Sequence, residues 1–198
     1  AGTLGRIAAT SFYPGKNLGA AGDAGAVMTN DVDAAALIRN LAAHGSSVKY
    51  EHDNIGMNAR LDAVQATVLR AKLRRLESWN EARRAAAVRY AELLGGLEGV
   101  RLPAVRSGNQ DVWHLYVVRV AERERVIAEM AAAGIGVAIH YPTPVHLTEA
   151  YAGLGYRPGQ FPVAEAAAKR ILSLPMFPHL TAEQQALVAA ALQVAVIV

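Results

Sequence analysis

The chain opens on a β-leaning run, Ile7 to Phe12, and a second apolar run follows at Ala26-Val27-Met28-Thr29. Between them lie Pro14, Gly15, Gly19, Gly22 and Gly25, a glycine density that predicts a tightly bent, irregular loop. Asn30 or Asp31 can cap a helix from about Val32 to Ala43, with Leu37, Ile38 and Leu41 as its apolar face and Gly45 as its stop. His44 to Arg60 is polar and aperiodic. A loop that long inside a compact domain is functional or mobile, the plain alternative being a disordered connector. From Leu61 to Leu97, Leu61, Val64, Val68, Leu69, Leu73, Leu76 and Trp79 recur at three- and four-residue spacings. That pattern predicts one long helix ended by Gly95 and Gly96, with a break near Ser78 to Asn80, where Trp-Asn is a weaker helix pair.

Pro103 marks a linker, and the pattern then changes. Val112 to Val120 is β-branched and aromatic and predicts a strand. Glu122 to Ala133 predicts a helix ended by Gly134, and Val137 to His140 a second strand leading into the Pro142 and Pro144 loop. This β-α-β run predicts a small α/β domain. Pro162 to Leu172 predicts a further helix, and Thr181-Ala182-Glu183-Gln184 a capping box for the last one. The long helix is expected to join two domains, residues 1–80 and 81–198.

The 198 residues are 53% hydrophobic and 19% charged, which describes a globular chain with a core. The net charge of +3 comes from scattered basic residues without aromatic interleaving, which argues against a nucleic-acid partner. There is no cysteine, so disulfides and thiolate metal sites are excluded, as fits a reducing, cytoplasmic setting. No signal-peptide pattern opens the chain. The most apolar stretch, Ala186 to Val198, is shorter than the roughly 20 residues a membrane helix needs. It is read as a core-packing helix, and no membrane partner is expected.

Lys16 is the one lysine on a glycine-rich loop between strands; Lys49, Lys72 and Lys169 sit in polar or helical contexts and read as solvated. An amine on such a loop can be desolvated, which favours its neutral, nucleophilic form. Spacing alone leaves open a solvated lysine in a turn. The wider segment carries a resemblance. Ser11-Phe12-Tyr13-Pro14-Gly15-Lys16-Asn17-Leu18-Gly19 followed by Gly22-Asp23-Ala24-Gly25-Ala26 resembles the Schiff-base lysine segment of the DegT/DnrJ/EryC1/StrS family of pyridoxal-phosphate (PLP) sugar aminotransferases. Gly56-Met57-Asn58-Ala59-Arg60-Leu61-Asp62, Ile139-His140-Tyr141-Pro142 and Ser173-Leu174-Pro175-Met176 extend it, in the family's order, over nearly the whole chain.

The resemblance implies a fold-type-I transferase: the end of the large mixed-sheet PLP-binding domain plus a small C-terminal α/β domain. Family members are about twice as long, so it implies the C-terminal half of such a protein, with further cofactor contacts upstream. Lys16 is the implied catalytic and cofactor-bearing lysine, and Ser11 a ligand of the cofactor phosphate. Asn58 is implied to reach the phosphate of a neighbouring subunit's cofactor, which makes a homodimer with a shared site. His140 and Tyr141 are implied to lie near a nucleotide-sugar substrate. The implied reaction moves an amino group from L-glutamate to a nucleotide-linked 3- or 4-keto sugar. Alternatives are a PLP-dependent sugar dehydratase, a cyclitol aminotransferase, or a regulatory member without catalysis. Some members carry histidine in place of the lysine and dehydrate; Lys16 favours amino transfer. His140 and His146 lack a third ligand at useful spacing, so no metal site is expected. A buried, hydrogen-bonded histidine is the plain alternative for His140. Arg60 is read as an ion-pairing residue, and Trp79, Trp113 and Tyr116 as core.

Overall fold

The computed structural model describes residues 2–197, which form two compact units dividing between Glu77 and Ser78. In the first, β1 (Ile7–Ser11) pairs antiparallel with β2 (Gly25–Thr29), Ile7 opposite Thr29 and Ser11 opposite Gly25. The two β-leaning runs are thus arms of one hairpin, and the glycine-rich loop is its tip. Helix α1 (Val32–Ala42) starts where Asp31 accepts the Ala34 N–H at 2.9 Å, satisfying an amide that the helix leaves orphaned.

The polar stretch after α1 is ordered rather than a disordered connector. It contains a small hairpin, β3 (Ser46–Val48) with β4 (Glu51–His52). Its two ends are joined to each other and its far end is clipped back to α1. The His44 N–H donates to Met57, the Met57 N–H to Leu41 and the Ala59 N–H to Ala42, at 2.8–3.0 Å. Buried Asn40 donates to Ser47 Oγ at 2.8 Å and accepts from Asn54 at 3.0 Å. Gly45 has φ +69°, and a Cβ there would run into the Asn54 carbonyl, so glycine is required on both counts.

The single long helix is two. Helix α2 (Ala63–Leu73) ends in a tight turn, with the Arg75 N–H on the Lys72 carbonyl, and α3 (Leu76–Leu94) contains the Ser78–Asn80 segment without a break. No glycine or proline marks the true break. Val64 and Leu73, read as part of a buried face, stay exposed, and in α2 only Leu69 is buried.

The second unit holds β5 (Val100–Arg101), β6 (Tyr116–Val120) and β7 (Ile171–Leu174), antiparallel in spatial order β5-β6-β7. Helices α4 (Arg123–Ala132), α5 (Pro162–Ala168) and α6 (Ala182–Ile197) complete it. Tyr116, Val118 and Val120 alternate inward on β6. They meet Tyr90 and Leu94 of α3, Val126 and Met130 of α4, and Val188 and Leu192 of α6 in one apolar core.

Three expectations change here. The strand expected from Val112 begins at Tyr116, because Trp113 takes φ +45° and the Trp113 and His114 carbonyls are occupied by Arg83 of α3. Val137 to His140 is no full strand: only Ala138 bridges to Ser173, and Pro142 soon follows, without an N–H to offer a ladder. The β-α-β reading therefore gives way to an antiparallel sheet. The helix expected to reach Leu172 stops at Ala168, because the run from Ile171 to Leu174 buries Leu172 and Leu174 against the core as β7. The capping box forms in full: the Gln184 N–H donates to Thr181 Oγ at 3.2 Å, and the Thr181 N–H to Gln184 Oε1 at 3.0 Å.

Candidate active site

Lys16 sits in the β1–β2 loop, half-buried, with its N–H bonded to the Tyr13 carbonyl at 2.8 Å across a Pro14-Gly15 turn. The base of the loop is closed by the Phe12 N–H on Ala24 and the Ala20 N–H on Phe12, both 2.8 Å. Gly19 packs so closely on the Pro14 carbonyl that a Cβ would collide with it. Helix α2 grips the far side. Gln65 Oε1 accepts the Ala21 N–H at 2.8 Å, and Lys72 Nζ donates to the Gly19 carbonyl at 2.8 Å. Lys72 is therefore a structural cation holding the loop, not a solvated side chain. Sequence reasoning missed both grips, because their partners lie 44 and 53 residues away.

Ser11 ends β1 on the same hairpin, exposed, its Oγ accepting the Tyr13 N–H at 3.2 Å. Asn58 lies elsewhere in this unit, on the segment clipped to α1 and bridged to Ala43, and it is exposed. Its Oδ1 accepts from Arg60 Nε at 3.0 Å. Among the described residues Arg60 thus serves Asn58 rather than a carboxylate. Since Nε can only donate, the atom facing it is the oxygen, and the Asn58 Nδ2 donors remain. No hydrogen bond joins Asn58 to Ser11 or Lys16 among the described residues.

His140 and Tyr141 belong to the second unit. His140 is half-buried and bonded through Nδ1 to Ser173 Oγ at 2.8 Å, while Tyr141 is 69% exposed, its ring set edge-on to the imidazole. The peptide bond between them is cis. His140 lines a recess of about 240 Å³ with Leu115, Ala138, Ser173 and Met176. That is below the roughly 300–1,000 Å³ of a typical small-molecule site. Arg83, only 6% exposed, fixes its rear. Its Nη1 donates to the carbonyls of Trp113, His114 and Met176 at 2.9–3.2 Å, and Tyr90 donates to Pro175 at 2.9 Å. Burial pulls the guanidinium below its ordinary pKa.

His146 is engaged elsewhere: its Nε2 meets Glu165 Oε1 at 3.1 Å and its ring packs on Phe161. The N–H groups of Gly159 and Phe161 also converge on Glu165, and they, with His146, hold its carboxyl below the usual range. Among the described residues no group of three or more metal-ligating side chains occurs. Nor is any described helix long and apolar enough to cross a membrane.

Comparison with known proteins decides the family. The profile of the DegT/DnrJ/EryC1/StrS aminotransferase family matches residues 1–193. The chain belongs to this family. Among curated family members, it is 51% identical over 176 residues to the erythromycin biosynthesis sensory transduction protein EryC1 of Saccharopolyspora erythraea, covering 89% of this chain and 48% of that one. It is 48% identical over 178 residues to the dTDP-3-amino-3,4,6-trideoxy-alpha-D-glucose transaminase of Streptomyces venezuelae, covering 90% and 47%. The crystal structure of S. venezuelae DesV in complex with a ketimine intermediate superposes with a TM-score of 0.90 at 46% identity, over 96% of this chain and 51% of that one. The chain thus has the mixed α/β fold of these transferases and spans about half the length of the curated relatives it matches.

Proposed function

We propose that this chain supplies the lysine-bearing hairpin and the small domain of a PLP-dependent aminotransferase. In this reading the enzyme moves an amino group, with L-glutamate as donor, onto a nucleotide-linked 3- or 4-keto sugar. The carrying observation is Lys16 on a loop braced from both sides, by its own turn and by Gln65 and Lys72 of α2. A loop braced in this way fixes the backbone position from which the Lys16 amine is presented. Relatives named as sugar transaminases support the same reading. A dehydratase reading asks for a histidine where Lys16 stands, and nothing in the site favours a purely regulatory role.

The donor set fits a phosphorylated aldehyde: a primary amine at Lys16 and a hydroxyl at Ser11 on one hairpin. When bound, PLP supplies a conjugated ring that holds the electron pair left on the donor's amine-bearing carbon. In this reading Lys16 Nζ anchors the cofactor, then takes the proton from that carbon. Ser11 Oγ donates toward the phosphate. Asn58 Nδ2, left available by the Arg60 contact, donates toward the phosphate of a partner copy, so the working enzyme is a homodimer with shared sites. His140 and Tyr141 meet the nucleotide sugar. A domain division at residues 80 and 81 and a cytoplasmic location belong to the same proposal.

The test is product analysis with the complete native polypeptide, PLP, L-glutamate and dTDP- or UDP-linked 3- and 4-keto sugars. Formation of the amino sugar with 2-oxoglutarate supports the assignment. Lys16→Ala should cut turnover by more than about 100-fold, the low end of what a positioned proton-transfer group contributes. Retained turnover in that variant would sink it.

A further inference from the structure

We infer that Ser173 is a positioning residue that holds the His140 ring as a hydrogen-bond donor through Nε2, presented to an oxygen of the sugar nucleotide. The substrate half of this inference rests on the function proposed above; the ring assignment does not.

Ser173 is only 5% exposed, in the middle of β7, opposite Val117 of β6. Its own backbone is spent on the segment leading to His140: the Ser173 N–H donates to Ala138 at 2.7 Å, and the Ala138 N–H returns to the Ser173 carbonyl at 3.2 Å. One strand residue therefore ties down both the approach to His140 and, through Oγ at 2.8 Å, the imidazole itself. The hydroxyl has one partner among the described residues, His140 Nδ1. A buried O–H must place its hydrogen on an acceptor, and only Nδ1 is in reach. Ser173 accordingly donates, Nδ1 accepts, and the ring hydrogen sits on Nε2. The opposite tautomer would leave the serine hydrogen unpaired. Among the described residues Nε2 has no hydrogen-bond partner, and His140 lines the recess bounded by Ala138, Ser173 and Met176. A fixed N–H donor at the wall of a recess takes an oxygen acceptor, which on a nucleotide sugar is either a diphosphate oxygen or a sugar oxygen. His140 in this arrangement binds and orients, and the proton work stays with Lys16.

The test begins with histidine-labelled complete polypeptide and two-bond proton–nitrogen correlation spectra of the His140 ring, which need neither cofactor nor turnover. The wild type should show the Nε2–H tautomer. Ser173→Ala should show a mixture, and Ser173→Thr, which keeps the hydroxyl, should restore the single form. In kinetics Ser173→Ala should raise KM for the keto-sugar nucleotide about tenfold or more with kcat changed less than threefold, and Ser173→Thr should recover most of it. A parallel titration with dTDP alone separates the two oxygens. Weakening there assigns the contact to the diphosphate, and weakening only with the sugar attached assigns it to the sugar. Hydrogen on Nδ1 in the wild type overturns the inference, as does a Ser173→Ala protein with unchanged ring signals and KM. If the ring signals follow Ser173 while no keto sugar is aminated by the wild type, the enzymatic reading fails and the ring assignment stands.

Discussion

Gly45→Ala and Gly96→Ala form a matched pair that tests whether the loop carrying Asn58 is built by close packing. Both glycines have a similar positive φ, +69° and +79°. An L side chain there costs about 1–2 kcal/mol at either site. A Cβ on Gly96 meets nothing within 4 Å, so that cost is the whole effect. A Cβ on Gly45 runs into the Asn54 carbonyl, a backbone atom that cannot swing aside, and overpacking of this kind adds about 1–3 kcal/mol. The totals are about 1–2 against about 2–5 kcal/mol. Native-state amide exchange reads them locally. The reporters for Gly45 are the Met57 and Ala59 N–H groups clipped to α1; those for Gly96 are Leu97 and Val100, which donate to Leu94 and Leu97. Gly45→Ala should speed exchange at its reporters about 30-fold to several thousandfold, and Gly96→Ala about 5- to 30-fold, at roughly tenfold per 1.4 kcal/mol. Equal acceleration at the two sites would refute the packing argument.

Arg83→Met removes the donor shared by three carbonyls behind the His140 recess and should destabilise the second unit by about 2–4 kcal/mol in urea unfolding. A loss below about 1 kcal/mol would mean those carbonyls find other donors. Lys72→Met frees the Gly19 carbonyl and should weaken PLP retention several-fold, read from cofactor absorbance in a dilution series, because a half-exposed charged hydrogen bond contributes about 1 kcal/mol. Unchanged retention would show the loop to be held without it. Glu165 is held below its ordinary pKa chiefly by the Gly159 N–H. Its contribution is therefore full above the unfolded carboxylate value and lost as pH falls through the lower folded one. Protection of the Gly159 and Phe161 amides, corrected for the intrinsic pH dependence of exchange, should fall as pH drops through that acid window in the wild type and stay flat in Glu165→Gln; parallel profiles would contradict the assignment.

What the sequence disclosed was mostly local. Asp31 caps α1, and Thr181 with Gln184 caps α6, because each partner lies within three residues. The hairpin around Lys16 was legible from two β-leaning runs and the glycines between them. The turn at Arg74-Arg75 was not, since no glycine or proline marks it. The helix expected to reach Leu172 takes in the first two residues of β7, because a short apolar run after a helix carries no period of its own; its pairing with β6 is set from the other end of the unit. The site residues Lys16, Ser11, Asn58, His140 and Tyr141 were named from motif resemblance. Their supports were invisible for the same reason as β7: Gln65, Lys72 and Ser173 act on partners 44, 53 and 33 residues away.

The most direct test of the account is borohydride reduction of the complete native polypeptide loaded with PLP, followed by mapping of the modified peptide. A phosphopyridoxyl group on Lys16, lost when L-glutamate is added before the reductant, is the predicted result. Labelling on another lysine, or none, would contradict the account at its centre and leave the braced hairpin as architecture alone.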